Sequence, residues 1–343
     1  VVNVDGSGNI VLSSQITSAA GPLTINGSGS GRVDITNTSN TLSTSGNRIN
    51  ITGSEVRFTA DGSFGAVPGS VVSNYLTING GRLATTSATT YTLNANRGIQ
   101  VGATAGTSIS VVTSGTLTYN GIIADLPSNN GILVKQGGGT LSLGGVNTYT
   151  GSTSINNGTL QLTTGNDRLP TTTVLSLGQT SSANLGTFDL NGRNQTISGL
   201  NSTSGTNATA SNNTITSSTA ATLTVSGGGS YGNGTNANSG VITGSVSLIK
   251  TDAATLTLGD ANTYTGSTTI SGGSLIMGVA SALSSSTAIN LNGGTLSSVD
   301  VDDATAANVV AQIDDDEIAI SKLAEDAVTI TAGDGLKTGG SVT

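Results

Sequence analysis

A chain of 343 residues with 9% charged and 3% aromatic side chains, and with 50 glycines, is not composed like an ordinary globular domain, where about 25% of residues carry charge. It has no cysteine and no histidine, which excludes disulfides, thiol chemistry, His-based acid–base catalysis and most zinc or haem sites. The net charge of −8 belongs to the end of the chain: residues 1–299 balance nine acids against nine bases, while 300–343 hold ten acids and two lysines. That leaves no basic face for phosphates, so nucleic acid is not an expected partner.

In chain order, residues 1–60 alternate short apolar runs (9–12, 23–25, 33–35, 48–51) with Gly, Ser and Asn, the pattern of strands and turns. Pairs of Asn and Gly close many of these runs, at Asn26-Gly27, Asn79-Gly80, Asn191-Gly192 and Asn292-Gly293. Such pairs serve hairpins, and they serve corners equally, because Asn and Gly adopt left-handed backbone most cheaply. Loops are expected at 65–71, holding Pro68, and at 125–131, holding Pro127, since proline interrupts a ladder. Residues 163–175 read as a protrusion, and 201–240 as loose coils or a decorated loop. Beyond 300, segments 304–313 and 317–328 have helical spacing, with Ile320, Leu323, Ala324 and Ala327 on one narrow stripe. That stripe is too short to be stable alone and requires a partner. No apolar run approaches the ~20 residues of a membrane helix.

One stretch occurs twice. Residues 139–162 read GTLSLGGVNTYTGSTSINNGTLQL and 254–277 read ATLTLGDANTYTGSTTISGGSLIM, with Thr140 matching Thr255 at an offset of 115 and Lys135 matching Lys250 upstream. Apolar residues alternate with Thr or Ser on either side of a shared Asn-Thr-Tyr-Thr-Gly-Ser-Thr at 147–153 and 262–268. A supersecondary unit repeated at this scale predicts stacked coils rather than hairpins. At ~20–25 residues per coil, the offset is about five coils. The expected fold is an all-β solenoid over 1–299, followed by an acidic, partly helical tail over 300–343 suited to oligomerisation.

Both copies resemble the passenger-associated repeat of bacterial autotransporters, whose members run G-T-L-x-L-x-x-x-N-T-Y-T-G-x-T-x-I-x-x-G-T-L. The match covers about fifty residues, with looser kinship over 72–123 and 183–200. The resemblance implies a right-handed parallel β-helix, exported and exposed outside a cell, and no particular activity, because such passengers include adhesins, proteases and esterases. Residues 321–342 resemble linkers of bacteriophage tail-fibre and virion proteins, and there the chain departs from the membrane barrel that autotransporters carry.

No catalytic, cofactor-binding or metal-binding residue is nominated. Paired carboxylates would be needed for glycoside cleavage. Asp252 and Asp260 align with Gly137 and Gly145 in the other copy and form no evident pair. The acids Asp300, Asp302, Asp303 and 314–317 lack calcium-loop spacing, and Gly333–Lys337 lacks phosphate-loop spacing. Tyr149 and Tyr264 are expected to pack at corners rather than bind sugar. The first reading is therefore a non-enzymatic extracellular adhesive rod that presents a surface to a glycan or protein receptor. A trimeric virion-appendage shaft and a polysaccharide depolymerase are the alternatives.

Overall fold

The computed structural model describes residues 1–298 apart from 19–20, 29, 180–183, 204–212, 233–239 and 285–287. Within them each coil of chain passes through three short segments, one on each of three faces, and then stacks beneath the coil before it. The first face begins with a six-stranded sheet running from Val2–Asn3 to Ile123–Asp125. It continues without strands through 147–149 and 167–169, where Thr148 N donates to Ile123 O, Asn147 N to Arg168 O and Asp167 N to Asn194 O. A five-stranded sheet from Gln195–Ile197 to Ile289–Leu291 completes it.

The second face is a nine-stranded sheet from Ile10–Leu12 to Gly199–Ser202, joined through Leu200 N and Gly228 O to a four-stranded sheet ending at Thr295–Ser298. The third opens with the pair Thr17–Ser18 and Thr41–Leu42 and the 3-10 turn Asp61–Phe64. An eight-stranded sheet follows, from Thr90–Leu93 to Thr263–Tyr264.

Every strand pair described is parallel and joins positions one coil apart, as in Val2 to Ile25, Ile25 to Ile51 and Ile51 to Ile78. The Asn-Gly pairs are thus corners, and the expected parallel solenoid is what the chain forms. Inward positions alternate with outward ones because strand side chains have a period of two. On the third face Tyr91, Leu117, Leu141, Leu160, Phe188, Ile215 and Ile242 follow one another inward from coil to coil. Leu141 and Leu256 are both fully buried in one continuous core. A core one strand deep explains how so little hydrophobic sequence holds so long a stack.

Coil length varies more than expected. Successive registers differ by 19 residues at Leu141–Leu160 and Leu256–Leu275, and by 28 at Leu160–Phe188. The shortest coils are those of the repeated motif. The expected offset of about five coils holds to within a third of a coil, and that third matters. Four coils carry Leu141 through Leu160, Phe188 and Ile215 to Ile242 on the third face, and two further faces bring the chain to Leu256 on the second. The copies are therefore four and two-thirds coils apart, and the second is turned by one face. The three faces are alike enough in shape that the motif works on any of them.

The supposed protrusion at 163–175 is likewise corrected. Leu169 is buried, Asp167 bonds into the ladder, and Val174–Leu177 is a strand of the second face. Pro170 and the polar residues occupy corners of an ordinary coil. Between 201 and 240 the described strands Asn213–Thr216, Ala221–Val225 and Gly229–Tyr231 are regular, while 204–212 and 233–239 lie outside the described residues. The acidic segment and its expected helices lie outside them too. Pro68 and Pro127 both fall off the sheets, as expected, although Asp125, placed at the start of the second loop, still ends the strand Ile123–Asp125.

The loop at 61–68 has an organiser that composition hides. Arg97 is fully buried; its Nε and Nη2 bind both oxygens of Asp61 at 2.9 and 3.0 Å, and its remaining donors reach the carbonyls of Phe64, Gly65 and Ala66. Its guanidinium lies 4.9 Å from the centre of the Tyr75 ring. Every donor is matched, which is what allows a buried charge to persist.

Two substitutions test this architecture by urea denaturation. Leu160→Ala removes an inward side chain and is expected to cost ~2–5 kcal/mol, against under ~0.5 kcal/mol for outward Thr159→Ala. Arg97→Ala leaves the Asp61 charge without its counter-ion and the carbonyls of Gly65 and Ala66 without their side-chain donor, although Asn94 N still reaches Asp61 and Tyr75 Oη still reaches Phe64 O. It should cost ~3–5 kcal/mol, with new proteolytic cleavage near 61–68.

Candidate functional site

Of the residues that the two copies share, the Lys, Asn, Tyr, final Thr and aliphatic positions face inward, while Thr148 and Thr150, like Thr263 and Thr265, are exposed. Lys135 is fully buried, and its Nζ donates to the carbonyls of Gln136, Gly137 and Asn157 at 2.9, 2.7 and 2.9 Å. Lys250 does the same at the equivalent corner, donating to Thr251 O and, at 3.0 Å, to Asp252 O. Burial pushes Lys135 down to about 7 through desolvation, and lowers Lys250, where nearby Asp252 opposes the shift.

The motif's Asn works as a piece of backbone. Asn147 Oδ1 accepts Ile123 N at 2.8 Å from the coil above, and its Nδ2 donates to Arg168 O at 2.8 Å in the coil below. Asn262 repeats the arrangement with Ile242 N at 2.6 Å and Ala282 O at 2.5 Å. At these points a side-chain amide replaces a strand rung, so the coil can cross the face in fewer residues. Tyr149 and Tyr264 are fully buried and each bonds a threonine hydroxyl, Thr153 or Thr268, at 2.5 Å. They point inward and cannot stack on a sugar.

The positions at which the copies differ also have local explanations. Gly137 and Asp252 share left-handed backbone, at φ 73° and 62°; Asp is one of the few residues with a side chain that tolerates it. Gly145 has no room for a side chain, since a Cβ would lie 1.8 Å from Gly121 O. Asp260 instead accepts Gly240 N at 2.9 Å. Asp252 lies at the corner between first and second faces and Asp260 between second and third, so they do not form a catalytic pair. No cluster of metal-ligating acids occurs among the described residues. The acids at 300–317 and Gly333–Lys337 lie outside those residues.

The exterior is laid out in columns. On the third face Thr90, Thr116, Thr140, Thr159, Thr187 and Thr214 succeed one another in register without interruption. A parallel column carries Thr118, Ser142, Gln161 and Asp189, in which Ser142 donates to Gln161 at 3.2 Å and Gln161 to Asp189 at 2.8 Å. On the first face Asn26 donates to Asn3 at 3.3 Å and Asn50 to Thr24 at 3.4 Å.

The second face opens on a chequered charge patch. Arg32, Glu55 and Arg82 occupy one register position in successive coils, and Asp34 and Arg57 the neighbouring one. Arg32 pairs with Asp34 at 3.0 Å, Arg82 with Glu55 at 3.1 Å, and Arg57 with Glu55. Sequence reading missed this patch. Its signal was available as Arg-Val-Asp, Glu-Val-Arg and Arg-Leu at intervals of one coil, but only once coil length was known.

All six tyrosines and three phenylalanines are buried. What the exterior can offer chemically is a dense, regular set of hydroxyl and amide groups, with one patch of paired charge. It holds no assembled nucleophile or acid–base pair among the described residues.

Comparison with known proteins agrees with this geometry. The passenger-associated-transport-repeat family model matches residues 133–162 and 248–277, so the chain carries two copies of that repeat. It is 30% identical over 245 residues to the adhesin BmaC autotransporter of Brucella suis biovar 1 (strain 1330), covering 68% of this chain and 6% of that protein. The chain thus spans a small fraction of the relative's length. No solved structure matches it.

The buried lysine gives a pH signature. Between about 7 and the ordinary lysine value near 10.4 the unfolded chain holds a proton at Lys135 that the folded chain has released, so stability rises with pH across that window. The urea midpoint of the native chain should climb more steeply from pH 7 to about 10 than that of Lys135→Met. Parallel slopes would show that the ammonium keeps its proton when folded.

Proposed function

We propose that the chain is a segment of a bacterial autotransporter passenger acting outside the cell as a non-enzymatic adhesive rod. The observation that carries this reading is the combination of the two transport repeats with a parallel stack of coils and a relative named as an adhesin. In this reading, the repeats serve the interior. Their shared Lys, Asn and Tyr and the buried Thr153 and Thr268 tighten a coil, and the exposed positions outside the shared heptapeptide vary. Attachment then rests on the polar columns of the faces, which can engage an extended glycan or a protein receptor through many weak hydrogen bonds. Each is worth about 0.5–1.5 kcal/mol net, so affinity comes from number and regularity.

With every aromatic buried, recognition by sugar stacking is disfavoured, and hydrogen bonding along the rod is favoured instead. The depolymerase alternative finds no paired carboxylates among the described residues to support it. No observation favours the virion-shaft alternative, and its trimeric tail falls on residues 300–343, outside those described.

Adhesion of beads coated with the purified chain to cultured host cells tests the proposal. Binding should exceed that of albumin-coated beads and should fall several-fold when Thr116, Thr140 and Thr187 on the third face are replaced together by lysine. Beads that bind no better than the albumin control would overturn the adhesive reading. Release of reducing ends from bacterial or host polysaccharide would overturn the non-enzymatic one.

A further inference from the structure

Eight Asn-Gly pairs punctuate the chain, and the structure treats them unequally. At such a pair the glycine nitrogen can attack the preceding side-chain amide, because glycine imposes the least steric resistance to the required backbone conformation. The attack is opposed when the glycine N–H is held in a hydrogen bond or when the corner is too crowded to move. Five pairs are held. Gly27 N donates to Thr52 O at 3.2 Å, Gly80 N to Thr107 Oγ1 at 2.8 Å and Gly131 N to Asp125 Oδ1 at 2.7 Å. Gly158 N donates to Leu185 O at 3.0 Å and Gly192 N to Ser217 Oγ at 2.9 Å. A sixth, Asn120-Gly121, is confined by packing: Gly121 is buried, and a Cβ there would lie 2.4 Å from Tyr119 Oη. Asn233-Gly234 lies outside the described residues.

Asn292-Gly293 differs from all of these. Both residues are exposed, and Gly293 has φ 99°; the nearest atom to a Cβ placed on it is Ser271 O at 3.7 Å. Asn292 is tied through its own N–H to Ile270 O at 2.8 Å, while among the described residues the Gly293 N–H has no accompanying hydrogen bond. We propose that Asn292 is a self-modification site, at which the folded chain deamidates without an enzyme.

The Gly293 nitrogen gives up its proton and bonds to Asn292 Cγ, and the Cγ–Nδ2 bond breaks to release ammonia. The resulting succinimide takes up one water, and either of its two imide C–N bonds opens. One opening leaves aspartate and the other isoaspartate. Each product adds a negative charge at the corner that leads into strand Thr295–Ser298, and isoaspartate also lengthens the backbone by one atom. The last described coil thus carries a site at which charge and register change with time.

The test is peptide mapping by mass spectrometry of the full chain held at about pH 8 and 37 °C. The Asn292 peptide should gain one dalton and split into aspartate and isoaspartate forms about tenfold faster than the peptides of Asn26, Asn79, Asn130, Asn157 and Asn191. In the urea-unfolded chain all six should convert at similar rates, since the difference comes from folded structure. Equal native rates, or faster conversion at Asn120, would overturn the assignment. Thr107→Val removes the acceptor for Gly80 N while keeping the side-chain shape. Asn79 should then speed up several-fold with Asn292 unchanged. No change at Asn79 would overturn hydrogen bonding as the cause.

Discussion

The structure depends on one requirement: each coil must hand its main-chain N–H and C=O groups to the coils on either side, face by face and in register. A parallel stack has no hairpins to fall back on, so any interruption leaves buried polar groups unpaired, at about 1–3 kcal/mol for each. Where strand geometry fails, the chain supplies side-chain amides instead. Asn147 and Asn262 bridge the coils above and below them, Asn40 accepts Ile16 N, Asn213 accepts Gly186 N, and Gln195 both donates to and accepts from the backbone of Leu169. All five amides are buried. The abundance of Asn therefore has two origins, left-handed corners on the outside and surrogate peptide groups on the inside.

This dual role explains why the repeated motif produces the shortest coils. An amide that spans two coils does the work of a strand rung at a single position, and the lysine that gathers three carbonyls turns a corner without extra residues. The cost is a charge and several polar groups in the interior. They are tolerated because every one is paired, and the tyrosine–threonine contacts fill the space around them. Much of what the two copies share is thus internal carpentry, although the exposed Thr148 and Thr150 recur as Thr263 and Thr265.

Much of the fold could be read from the sequence, because alternation and repetition are local signals. The motif, the corners and the off-sheet prolines all follow from residues within a few positions of each other. The phase of the second copy did not, since it depends on the summed lengths of intervening coils, which run from 19 residues at Leu141–Leu160 to 28 at Leu160–Phe188. Nor did the Arg97–Asp61 clamp, whose partners are 36 residues apart with no motif to join them. At the surface, the separation of Asp252 from Asp260 could be suspected from their absence in the other copy. The chequered charges could not be recognised until one coil was laid on the next.

The turn of the second copy by one face has a consequence for how the molecule meets its surroundings. Two copies of one motif look out along directions about a third of a revolution apart, at different heights. A single flat partner cannot lie against both, whereas a crowd of small ones can approach from more than one side. For the motif's own outward residues, a pillar made this way presents contacts toward more than one side of its long axis.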